Sequence, residues 1–462
     1  MQETANQLDL QNPHWWQRPW WWIGGMAFLL ALTVPFAYRG YRIAGLPDIG
    51  HPFDVEEFGT VEISDDENAF VEYRLAWKAL IPKPAGSKID DGLIVEWPDV
   101  PADIKQWLED NRPTLKIWRK GTEKPDALYQ QPTNVSFLNT SIIPVSENRA
   151  LARLARLEIM RLEAEGKTDE AWQWILASFR FGLHLGMRGT RINRLVGAAV
   201  QSMSREAMLN WCKRPDVDEV MLIKALREVQ SHYKLTTPIS TQIKMEYFYG
   251  MNTMDFIGNN SEITDSLLEN TPGGQVGSFF LNERELATRV YRQVIANELS
   301  QIDKPRYARA YERSDSRFRT VLFDVGTAET GFAGQLPANE IFDFGWSSYL
   351  YRQLVLSWKS FDGAIGRKES HQAAVVTIFA CQIFYREHGM FPETLDELVP
   401  DYLEALPADP YGKKGETIHY LKMPEKIIVY SVGTNGIDDG GNLDIPAMLD
   451  LGLESQSPGM SQ

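Results

Sequence analysis

Apolar residues recur mostly at helical spacing along this chain, and the pattern changes character at its two ends. Near the start, Pro19 to Tyr38 carries no charge at all, and about twenty apolar residues as a helix span a bilayer. Trp15, Trp16, Trp20, Trp21 and Trp22 gather at one border, where indole rings favour the headgroup region, and Arg39 and Arg42 close the other. No small-x-small cleavage site follows the run. The expectation is a retained transmembrane anchor at 19–38, after an N-terminal tail at 1–18, with the lipid bilayer as its partner.

Between the ends the pattern is amphipathic. Residues 39–63 are acidic and punctuated by Gly and Pro, which reads as a membrane-proximal linker with a short strand at Gly59–Ile63. Ser64-Asp65-Asp66-Glu67 is a capped helix start, and a helix is predicted to run from there to about Leu80. A second helix begins at Pro101-Ala102-Asp103, and 120–144 is rich in loop residues. From Val145 to Phe248 the helical period is strong. Glu165-Gly166-Lys167-Thr168 makes a turn resembling that of a tetratricopeptide pair. No second copy follows at a period near 34, so the reading is an irregular helical bundle rather than a solenoid. Gly258–Gly277 reads as a loop, Glu283–Leu299 as a helix, 300–345 has no clear period, and a helix at Trp346–Phe361 leads into the C-terminal region.

There the period changes. Ser370–His388 is a helix stopped by Gly389. Phe391–Val399 opens a short helix, and Ile418–Leu421 and Ile427–Ser431 form a hairpin through Met423-Pro424-Glu425-Lys426. The loop after it, 431–445, holds five Asn/Asp side chains and four glycines. Oxygen-rich side chains on a glycine-kinked loop suit a hard cation, so Asp444, Asp438, Asp439, Asn435 and Asn442 are candidate Ca²⁺ ligands. The alternative is a turn satisfied by its own backbone bonds. The predicted architecture is mainly α: a transmembrane helix, a helical domain at 64–345, a small C-terminal α+β module with an antiparallel sheet at 346–450, and a disordered tail at 451–462.

Composition narrows the function classes. A net charge of −15 argues against nucleic acid as a partner, since phosphate recognition needs a positive footprint. Cys212 and Cys381 lie in apolar helical contexts and read as small buried hydrophobes, without metal spacing. The seven histidines are scattered, which fits surface or hydrogen-bonded roles rather than ligation. Metalloprotease, serine-hydrolase and phosphate-loop signatures are absent, and Gly273-Gly274-Gln275-Val276-Gly277 follows no clear strand. Glu246 stands among aromatics, read either as a buried functional acid or as a structural hydrogen-bonding or exposed group.

Three motifs in order, Tyr385-x-x-His388-Gly389-x-Phe391-Pro392, Leu406-Pro407-x-Asp409-Pro410-Tyr411-Gly412 and Val429-Tyr430-Ser431-Val432-Gly433-x-Asn435-Gly436, resemble the globular part of the major pseudopilin of type II secretion. The resemblance covers roughly residues 370–446. It implies a long helix followed by a small antiparallel sheet, with Ca²⁺ bound by the loop after the Tyr-Ser strand. Asp444 matches the family's final ligand, whereas Asn435 stands where the family tends to have Asp. The apolar segment lies far upstream and lacks the methylation site of a pilin subunit, so processing and polymerisation are not expected. The order of anchor, helical region and module also resembles a class of bacterial membrane-anchored proteins, which implies no activity.

The functional expectation is a single-pass, non-enzymatic binding or scaffolding protein with an unidentified protein partner. A millimolar-range calcium site fills outside the cytoplasm, which favours an extracytoplasmic body. One rival is an enzyme with a pocket around Glu246 and the Gly273 loop. The other is an accessory component of a type II secretion-like apparatus.

Overall fold

The computed structural model describes residues 19–44, 48–87, 89–93, 95–136, 143–259, 283–309, 358–443 and 449–459. The predicted 346 boundary, the Gly273 loop, the 1–18 tail and Asp444 lie outside them. The chain forms two compact units, one of Met1–Pro52, Met254–Gln293 and Glu329–Leu354, the other of Phe53–Thr253, Val294–Ala328 and Val355–Gln462. Architecturally the protein is mainly helical with one small antiparallel sheet, as the periodicity predicts.

In the first unit the expected anchor is part of a longer helix, α1 (Pro19–Ala44). Its side chains are described at 20–34, 37 and 41. Trp20, Trp22 and Phe28 are 78%, 73% and 67% exposed, and Met26, Leu29 and Leu30 are exposed beside them. Among the described residues, no helix is long and apolar enough to cross a membrane. Asp48 accepts from the Gly50 amide and pairs with Arg292 at 2.8 Å. Those two contacts, the amide first, hold its carboxyl below the usual range.

The second unit begins inside the expected linker. Asp54 caps α2 (Val55–Gly59) through the Glu56 and Glu57 amides. Phe53 and Phe58 pack on Phe248, and Phe53 also on Tyr247. The strand expected at Gly59–Ile63 does not form: Val61 exchanges its backbone bonds with the Gln131 side chain, so no neighbouring strand offers a ladder. Residues 53–63 therefore belong to the body rather than to a free linker.

The helices that follow are α3 (Ala69–Ala79), α4 (Ile89–Gly92), α5 (Ala102–Asp110), α6 (Arg112–Thr122), α7 (Val145–Ala164), α8 (Thr168–Gly186), α9 (Arg191–Cys212), α10 (Glu219–Tyr233), α11 (Ile239–Asn259) and α12 (Glu283–Gln301). The predicted turn between α7 and α8 is present, with Gly166 at φ +68. Nearly every position of α8 is buried, because it has a core on each side. Trp172, Ile175 and Phe179 join one core with Trp211 of α9. Ala177, Phe181 and Leu185 join the other with α3, α5 and α6. The α8–α9 crossing is close because Gly197 lies against the Gly182 carbonyl, where a Cβ would clash. Buried His184 sets its Nδ1 2.8 Å from the Tyr73 hydroxyl, and burial pushes its pKa down to about 3.

The C-terminal helix, α13 (Trp358–His388), is longer than the Ser370–His388 segment expected. Gly366 lets it pass directly over the Tyr411 ring. Gly389 ends it at φ +73, as predicted. The hairpin is β1 (His419–Lys422) and β2 (Lys426–Ser431), closed by the Met423 amide on the Lys426 carbonyl at 2.8 Å. The tail expected to be disordered instead contributes β3 (Leu451–Gln456), antiparallel to β2 from Lys426↔Gln456 to Ser431↔Leu451. Leu-Gly-Leu-Glu-Ser-Gln has little β preference of its own, and β2, with its last five residues buried, supplies the template. Gln382 of α13 fixes β3 by donating to Ser455 Oγ and the Gln456 carbonyl.

One core runs from α7 to α10 through α13 into β2, so the helical bundle and the C-terminal module are not separate bodies. Cys212 and Cys381 are both buried in it and unbridged, as small apolar residues. Burial pushes the Cys212 thiol up to about 12.

Candidate functional site

The C-terminal loop is built on two acids outside it, Asp409 and Asp450. Asp409, 4% exposed, accepts from the Val432 amide at 3.0 Å, the Tyr411 amide at 2.8 Å and the Ser431 hydroxyl. That contact explains why the Asp409-Pro410-Tyr411 turn and the Tyr430-Ser431 strand occur together: one carboxylate ties them. Asp450, 1% exposed, gathers the amides of Asp439 at 3.3 Å, Gly441 at 2.8 Å and Asn442 at 3.1 Å. Burial is the largest influence on it and raises its pKa against those amides. Gly433, Gly436, Gly440 and Gly441 all take positive φ, which the repeated reversals need.

The predicted ligands mostly serve this frame. Asp438 accepts from the Gly440 amide at 2.9 Å and the Tyr430 hydroxyl at 3.0 Å, and its other oxygen lies 3.4 Å from His419 Nδ1. The Gly440 amide, then the Tyr430 hydroxyl and His419, hold its pKa low despite partial burial. Asn435 accepts from the Ile437 amide and donates to Asp439 at 2.8 Å. Asn442 gives its amide to Asp450. The donor chemistry suits a hard cation, since every one is an oxygen ligand. Among the described residues, however, no group of three His, Cys, Asp or Glu side chains is arranged to hold a metal ion. Asp444 lies outside those residues. Asp450 and His419 are members that the sequence pattern does not single out, and Asp409 stands in a motif without being read as part of the loop's frame. Asp450 follows the loop by several residues, and only the unexpected β3 brings it back beneath it.

In the helical region Glu246 is buried, as one of the two readings requires. Its Oε1 accepts from the Arg191 amide at 2.9 Å and lies 3.5 Å from the Arg191 guanidinium. Thr190, the N-cap residue of α9, makes no side-chain cap, so Glu246 of α11 caps that helix from outside. Glu246 lines neither the cleft of about 420 Å³ beside Arg188 and Lys244 nor the groove of about 370 Å³ beside Trp77 and Trp107. The other half of the enzyme expectation, the Gly273 loop, lies outside the described residues. Nearby, burial drives Glu298 up to about 7, with Arg191 pulling the other way.

Compared with known proteins, the chain matches no protein-family model, no curated protein and no solved structure.

Proposed function

We propose that this chain is a membrane-anchored binding or scaffolding protein without chemistry of its own. α1 holds it to a bilayer, the helical body meets a protein partner, and the C-terminal module is pseudopilin-like. The observation that carries the reading is α1: from Trp20 to Val34 the large apolar side chains are exposed, on a helix with no polar face. An apolar helix that is neither buried in a core nor amphipathic is stabilised by lipid. The reading of Glu246 as a helix cap removes the main support for the enzyme alternative.

Vesicle flotation of the full chain tests the anchor. The wild type rises with phosphatidylcholine vesicles, and Phe28→Asp with Leu29→Asp and Leu30→Asp stays at the bottom. Equal flotation of both, or none of the wild type, overturns it. Calcium is a separate part of the proposal, with Asp444, Asp438, Asp439, Asn435 and Asn442 as its ligands. It requires that millimolar CaCl₂ raise the melting temperature and that Asp444→Ala remove the rise. Co-purification with a pseudopilus protein would move the reading towards a secretion accessory component.

A further inference from the structure

The geometry points to a binding site for a small anionic amphiphile, a free medium-chain carboxylate, in the groove where α7 begins. This site is independent of the anchor and of the calcium loop. The groove encloses about 370 Å³ between the end of α3, the segment through Pro82, α5 and the first turns of α7. Trp77, Leu80, Pro82, Ile89 and Trp107 form its apolar walls. The Trp77 indole N–H is spent on Asn148 and that of Trp107 on the Ile81 carbonyl, both at 2.9 Å. Both rings therefore satisfy their one polar atom inside the protein; half-buried Trp77 leaves carbon surface to the groove, and buried Trp107 backs it. A volume near the low end of the roughly 300–1,000 Å³ usual for small-ligand pockets suits one short chain, not a two-chain lipid.

The polar side is mostly basic. Among the described residues that line the groove, Lys83 and Arg149 are exposed cations, Arg153 is held by a partner within the protein, and the acid is Glu147, which accepts the Ser146 hydroxyl at 2.8 Å. Two exposed cations beside that acid run against the sign of a chain of net charge −15. The first turn of α7 adds to this field. Pro144 stands at the N-cap and provides no side-chain cap, so the positive end of a 20-residue helix opens beside Ser146 and Glu147. An apolar slot with cations and a helix start at its edge matches a ligand with an apolar body and one anionic head. A neutral or cationic amphiphile of the same length matches only the walls.

Saturation-transfer NMR on the full chain in nanodiscs, with empty nanodiscs subtracted, tests the site using octanoate, octanol and octylammonium. Octanoate is expected to saturate, and octylammonium to bind at least about tenfold more weakly, as loss of a charge-assisted contact implies. Lys83→Glu with Arg149→Glu, both exposed, should invert that order. Ala150→Trp, on the groove wall, should abolish octanoate binding by filling the slot. Equal binding of the three amphiphiles, unsaturable octanoate, or wild-type octanoate affinity in Ala150→Trp overturns the proposal.

Discussion

Glu246 and Asp450 do the same task in two parts of the molecule with different electrostatics. Each is a carboxylate no more than 3% exposed, and each caps backbone amides from outside the segment it caps. Glu246 also faces the guanidinium of Arg191, itself 1% exposed, whereas Asp450 has three amides and, among the described residues, no ion pair with a cation. The difference sets what removal leaves behind. Without Glu246 the buried guanidinium loses the carboxylate that faces it, while without Asp450 three loop amides turn to water. A buried ion pair is thus more costly to halve than a buried cap, although it need not contribute more to stability when intact.

The largest expected effect follows from that. Glu246→Gln keeps the size and the acceptor for the Arg191 amide but removes the carboxylate charge that faces the guanidinium, and should cost about 3–5 kcal/mol. Urea denaturation of the full chain measures it through the transition midpoint. Asp450→Ala should come second, at about 1–3 kcal/mol for amides that lose their acceptor. It should loosen the 433–443 loop before the helical body, which amide exchange would register as lost protection at Gly441 and Asn442. Equal costs for the two substitutions would mean that charge is not what distinguishes them.

Glu298 is the third case, a half-buried acid on α12 held up to about 7 mainly by burial. Its folded value lies above its ordinary value of 4.5. Its contribution is therefore fully present below pH 4.5 and lost as pH rises through about 7. Glu298→Gln should remove that loss. The variant should match the wild type near pH 4 and exceed it near pH 8, by less than either substitution above, because a half-buried group can recruit water. A wild type no less stable than the variant at pH 8 would place the Glu298 charge closer to Arg191 than burial alone allows.

These three acids also show how far the sequence could be read. The helices of the bundle, the turn at Gly166, the Gly389 stop and the β1–β2 hairpin follow from local pattern, and the structure has them. The loop 431–445 was legible as a loop, from its glycines and Asn/Asp side chains. Its organising acid was not, because Asp450 reaches it only through β3, and Leu451–Gln456 carries no strand signal of its own. Glu246 was visible as an odd acid among aromatics. That it caps α9 depends on how α11 packs against Arg191, which is a tertiary fact. The same holds for α8, whose apolar residues at helical spacing do not say by themselves that two of its sides are covered. Two cores, one on each side, decide the matter for α8.

On α1, by contrast, Trp20, Trp21 and Trp22 are 78%, 60% and 73% exposed. All three lie outside the buried core, so their replacement by Ala should move the midpoint of body unfolding by no more than about 0.5 kcal/mol. In the proposed role the same indoles sit at the headgroup level, and their loss should weaken vesicle binding instead. Measuring both quantities on one variant separates the two kinds of apolar helix. An unchanged midpoint with weakened flotation assigns the α1 rings to lipid, and a large fall in the midpoint with flotation retained assigns them to protein packing.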